Sequence, residues 1–109
     1  MTADRLRTPD VDRLIEAVLS LREPDEVYAF LQDVATVREI QDLAQRLAVA
    51  GMLDAGEHYD AISASTGAST TTISRVSRCL HYGADGYRIV LDRAGAGPEP
   101  ATDTERPGE

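Results

Sequence analysis

Residues 59–78 read Tyr-Asp-Ala-Ile-Ser-Ala-Ser-Thr-Gly-Ala-Ser-Thr-Thr-Thr-Ile-Ser-Arg-Val-Ser-Arg. The stretch predicts a helix, a sharp turn at Gly67 and a second helix, a helix-turn-helix over 59–80. Ile62 lies five residues before Gly67, Ala68 directly after it, Ile73 six after and Val76 nine after. At helical periodicity these four side chains meet in the seam between the two helices. Ser69, Thr70, Thr71, Ser74, Arg75 and Arg78 are left facing outward. Short hydroxyls and arginines opposite a small apolar seam are what a helix-turn-helix presents to a DNA groove.

Each outward residue has a role in that chemistry and a plainer one beside it. Ser69 is the expected N-cap of the second helix, and the free amides it introduces can also hold a backbone phosphate. Thr70 and Thr71 would lie deepest in the major groove, their hydroxyls on base edges and their methyls against thymine. Arg75 and Arg78 reach guanine or phosphate. The plainer reading of the whole face is solvated surface. Gly67 supplies the positive φ that such a turn demands, although a simple helix C-cap would use glycine too. Ser63 is small enough to sit in the first helix where the pair closes.

Upstream, the apolar residues also follow the helical period. Thr8-Pro9-Asp10 is a helix start, with a hydroxyl cap, a proline in the first turn and an acid at the positive end of the dipole. Val11, Leu14, Ile15, Val18 and Leu19 then share one face. Glu23-Pro24-Asp25 interrupts, and Val27, Phe30, Leu31 and Val34 form a second stripe. Thr36 to Glu39 fits a capping box that opens a long helix carrying Ile40, Leu43, Leu47, Ala50 and Leu53 and stopping near Gly56. A last helix, near Asp85 to Arg93, carries Tyr87, Val90 and Leu91. Strand-like alternation is absent. The chain therefore predicts an all-α fold of about six helices: a loose arm over 1–7, a helical domain over 8–93 and a disordered acidic tail over 94–109.

A core from 109 residues is modest, and a second copy of the chain is one way to complete it. The net charge of −8 is unevenly placed: −6 over residues 1–57, +1 over 58–93 and −3 over 94–109. Residues 69–82 hold two arginines and no acid, a local basic window on an acidic body. The field at a phosphate is a local quantity, screened beyond about 8 Å.

No apolar run is long enough to span a membrane, no signal peptide is recognisable, and the single cysteine, Cys79, forms no intrachain disulfide. The expected location is the cytoplasm. Cys79 and His81 stand two apart and do not share a helix face, so they make no nucleophile and base pair. His58 reads as a surface residue, no metal-ligand spacing occurs, and no catalytic constellation stands out. No enzyme and no resident cofactor is expected.

Leu43 to Leu47, Thr66 to Val76, Arg78-Cys79-Leu80 and Tyr82 to Tyr87 together resemble the Trp repressor superfamily. Within it, the small Trp-repressor-related proteins of the YerC/YecD type are the most similar. The resemblance covers about residues 10–93. It implies an intertwined, all-helical homodimer with two DNA-reading heads, acting on double-stranded DNA as a transcription regulator, a repressor. In Trp repressor two arginines and a threonine help to hold a tryptophan corepressor. The matching positions are Arg46, Arg75 and Thr72, which makes them the effector-binding candidates for a small-molecule corepressor, unidentified here. Val76 departs from the family's small residue after the second arginine: it could fill the space beside such a ring, and it also suits the apolar seam. Arg46 could instead pair with Asp42. Two alternatives stay open: an effector-dependent repressor with an amino-acid-like ligand, and an acidic protein-interaction module without specific DNA binding.

Overall fold

In the computed structural model of the protein the described residues are 5–95. They form six helices: α1 (Pro9–Leu19), α2 (Pro24–Val34), α3 (Val37–Asp54), α4 (Tyr59–Thr66), α5 (Thr70–Tyr82) and α6 (Gly86–Ala94). The all-α, six-helix expectation holds. The acidic tail lies outside the described residues beyond Gly95, as do the first four residues of the expected arm. At the described end of that arm, Arg7 Nε donates to Asp12 Oδ1 at 2.6 Å. Two compact units divide at Ile40 and Gln41.

In the first unit, local chemistry starts each helix. Thr8 Oγ1 accepts from the Val11 amide at 3.2 Å, and Pro9 occupies the position where a missing N–H costs nothing. Ahead of α2 the Glu26 carboxylate accepts from the amides of Arg22 at 2.8 Å and Glu23 at 3.2 Å, and those two bonds hold its pKa below the usual range. At α3 the capping box closes reciprocally: Thr36 N donates to Glu39 Oε1 at 2.8 Å, and Glu39 N to Thr36 Oγ1 at 3.1 Å. The apolar stripes of α1 and α2 are present, but neither helix contains a buried residue. Leu14, Ile15, Val18, Val27 and Val34 are all exposed within the single chain.

In the second unit, Val49 and Ala50 of α3 pack with Ile62, Ala68, Ile73, Val76 and Leu91 into one core, flanked by Met52, Leu53, Leu80 and Tyr87. Ile62, Ile73 and Val49 are its largest fully buried side chains, each worth about 1.5–3 kcal/mol relative to exposure. The long α3 ends in a pair of capping bonds, Gly56 N to Leu53 O and Glu57 N to Met52 O, both 3.0 Å. Its exposed Leu43 and Leu47 lie off this core, as do Ile89 and Val90 of α6. Of the apolar residues expected of the last helix, Leu91 is buried, Tyr87 is half-buried and Val90 is exposed. Arg88 joins α6 to the end of α3. Its guanidinium meets both Asp54 oxygens, at 2.8 and 2.9 Å, and Nε donates to Asp92 at 3.0 Å.

Among the described residues no helix is long and apolar enough to cross a membrane.

Candidate nucleic-acid interface

The helix pair α4–α5 is built as the sequence predicts. Gly67 ends α4 with φ 75° and ψ 4°, in the left-handed region, and its N–H donates to Ser63 O at 2.8 Å. The turn then satisfies its own polar groups. Ser63 Oγ donates to Ala68 O at 2.9 Å, and Thr66 Oγ1 donates to Ile62 O at 2.7 Å while accepting from Ala68 N at 3.1 Å. Thr66 O, a helix-end carbonyl with no partner in α4, receives Gln45 Nε2 from α3 at 3.0 Å. Ser63, Thr66 and Gln45 thus fix the turn, a role the periodicity of apolar residues does not reveal. The signal available was two hydroxyls, four and one residues before a turn glycine; Gln45, 21 residues from Thr66, has no local signal.

Ser69 is the N-cap of α5. Its Oγ accepts from Thr72 N at 3.1 Å and lies 3.1 Å from Thr72 Oγ1, to which it donates. Beyond the cap the helix separates its faces. Ile73 and Val76 are buried with Ala68 beneath them, while Ser69, Thr70, Thr71, Ser74, Arg75 and Arg78 are all exposed. At about 100° per residue, Thr71, Arg75 and Arg78 share a sector of about 60° opposite the seam. No acid occupies the first turn of α5, and among the described residues neither Arg75 nor Arg78 forms an ion pair. Both guanidiniums are presented to solvent without a neutralising partner.

The effector candidates lie on two helices. Arg46 sits half-buried on α3, and Thr72 half-buried and Arg75 exposed on α5. The Thr72 hydroxyl already receives the Ser69 proton. Burial pushes the Tyr87 phenol above its ordinary pKa, against the pull of the nearby Arg46 guanidinium. Val76 is 2% exposed and belongs to the seam.

Elsewhere, His81 Nδ1 lies 2.8 Å from Ser77 O, one turn back on the same helix, and Cys79 is exposed. An open groove of about 810 Å³ runs beside α3 and the end of α4. Among the described residues that line it Glu57 alone carries a charged side chain.

Residues 9–95 match the family model described as Trp repressor protein. The chain belongs to the Trp repressor family. It is 53% identical over 93 residues to YerC, an uncharacterized protein of Bacillus subtilis strain 168, covering 85% of this chain and 89% of that one. It also resembles the crystal structure of a TrpR-like protein from Eubacterium eligens ATCC 27750, with a TM-score of 0.80 and 50% identity over 84% of this chain and 94% of that one. A third match is the crystal structure of a candidate Trp repressor from Staphylococcus aureus, with a TM-score of 0.81 and 45% identity over 89% of this chain and 97% of that one. Membership of this family marks the chain as a regulatory protein.

Proposed function

We propose that the protein is a sequence-specific DNA-binding transcription repressor that acts as a homodimer in the cytoplasm. The observation that carries this reading is the division of α5 into a buried seam and an exposed, acid-free face of hydroxyls and arginines. That face, on Ser69, Thr70, Thr71, Ser74, Arg75 and Arg78, enters the major groove from the N-terminal end of the helix. The domain runs from residue 8 to residue 93. A second copy covers the apolar residues that α1, α2 and α3 leave exposed, Leu14, Val18, Val27, Leu43 and Leu47 among them. Two heads then stand about 34 Å apart and read a near-palindromic site. Few cations meet the phosphates, so binding falls only gently with salt compared with strongly basic readers.

Of the two roles open to Val76, its burial favours packing in the seam, and the direct reading of DNA by Arg75 goes with it. Tryptophan is then not required. The test is selection from random duplex DNA at low salt, with and without candidate effectors, alongside sedimentation to measure the dimer. An enriched near-palindrome bound by a dimer supports the reading. Failure to enrich any motif under either condition overturns it in favour of an acidic protein-interaction module.

A further inference from the structure

The DNA-reading face of α5 does not stop at Arg78. The helix continues to Tyr82, and at about 100° per residue Tyr82 falls in the middle of the sector occupied by Thr71, Arg75 and Arg78. It points directly away from Ile73 and about 120° from Val76. Tyr82 is 86% exposed, the highest value for a large apolar side chain among the described residues. Its ring lies beside that of His81, with centroids 6.3 Å apart and planes at 50°. The next residue is Gly83, so no side chain follows immediately to shield it. Seam packing does not explain this tyrosine, and neither does a hydrogen bond among the described residues.

We propose that Tyr82 is a DNA-backbone contact whose phenolic hydroxyl donates to a phosphate oxygen at the rim of the major groove. The assignment rests on the DNA-binding reading above and extends its site by one helical turn. Tyr82 lies eleven residues beyond Thr71, roughly 16 Å along the axis, whereas the groove is about 12 Å wide. With the N-terminal turn of α5 among the bases, Tyr82 is carried to the sugar–phosphate edge. A phenol there is a neutral donor that positions the helix without reading sequence.

The experiment compares the wild-type protein with Tyr82→Phe and Tyr82→Ala on the selected duplex and on an unrelated duplex, over a range of salt concentrations, with circular dichroism and sedimentation as controls. Tyr82→Phe is expected to weaken binding to both duplexes alike, by roughly tenfold. The slope of affinity against salt stays unchanged, because a phenol displaces no counterion. Unchanged affinity overturns the assignment. A loss confined to the selected duplex overturns it in favour of base reading, and a loss that tracks a weakened dimer overturns it in favour of a subunit contact. If the wild-type protein binds neither duplex, the DNA-binding reading and this assignment fall together; if it binds and Tyr82→Phe matches it, only this assignment falls.

Discussion

Replacing Gly67 by alanine isolates the conformational demand of the turn from any question of space. A Cβ at Gly67 would have Gln45 Nε2 as its nearest neighbour, at 4.0 Å, an ordinary contact that adds no steric penalty. What remains is φ 75°, a left-handed conformation that costs an L-residue about 1–2 kcal/mol. Stiffening the unfolded chain returns about 0.4–1 kcal/mol. The net loss is roughly 1 kcal/mol per chain, about a fivefold fall in the ratio of folded to unfolded protein. Urea unfolding followed by circular dichroism reads this as a lower midpoint with an unchanged slope, all variants being held at one protein concentration because association shifts the midpoint. Gly67→Asn should lose less, since asparagine tolerates this region. Gly83→Ala should lose more: a Cβ there would sit 2.4 Å from Cys79 O and 3.1 Å from Cys79 C and Cα, all backbone that can move only if the last turn of α5 opens. A neutral Gly67→Ala, or a Gly67→Asn as costly as the alanine, would refute the reasoning.

Three further outcomes follow from the same geometry. Ile73→Ala empties a fully buried site and should cost about 2–5 kcal/mol in urea unfolding, weakening DNA binding only through the folded fraction. Arg78→Ala should weaken binding to the selected duplex by about 1–3 kcal/mol if it reads a base, and equally on all sequences if it holds a phosphate; titrations with both duplexes separate these, and no loss on either removes Arg78 from the interface. The Arg88 guanidinium, by its hydrogen bonds first, holds the Asp54 carboxyl below its ordinary value of 3.8. A depressed folded pKa means that the pair's contribution is full above that ordinary value and is lost as pH falls through the lower folded one. The difference in thermal midpoint between wild-type protein and Asp54→Asn should therefore shrink from pH 6 to pH 3, and an offset independent of pH would contradict the pairing.

Short-range signals in the sequence located most of what the structure contains. Thr8, Thr36 and Ser69 cap helices because a hydroxyl at the right offset needs only its own neighbours to form the bond. Ile62, Ala68, Ile73 and Val76 were legible as a seam because one turn of known geometry fixes how two adjacent helices meet. The apolar stripe of α1 was equally legible, but periodicity identifies a face and not what covers it, and within one chain Leu14 and Val18 stay exposed. The bond from Gln45 to Thr66 O was invisible because it joins residues 21 apart through a side chain that no pattern singles out. The left-handed Asp85, φ 69°, at the start of α6 was also unreadable, since the adjoining Gly86 advertises itself as the more permissive residue. The last turn of α5 was missed for a related reason: the helix expected to close near Leu80 runs on until Gly83.

The two faces of α5 also differ in what change they can absorb. Thr70, Thr71, Ser74, Arg75 and Arg78 contribute nothing to the buried seam, and exposed positions of this kind tolerate substitution within about 0.5 kcal/mol. Ile73 and Val76 have no such latitude. For a DNA reader of the kind proposed, drift at the outer positions alters which operator is recognised while the head stays folded. A lineage could thus reassign its targets one side chain at a time without passing through an unstable intermediate.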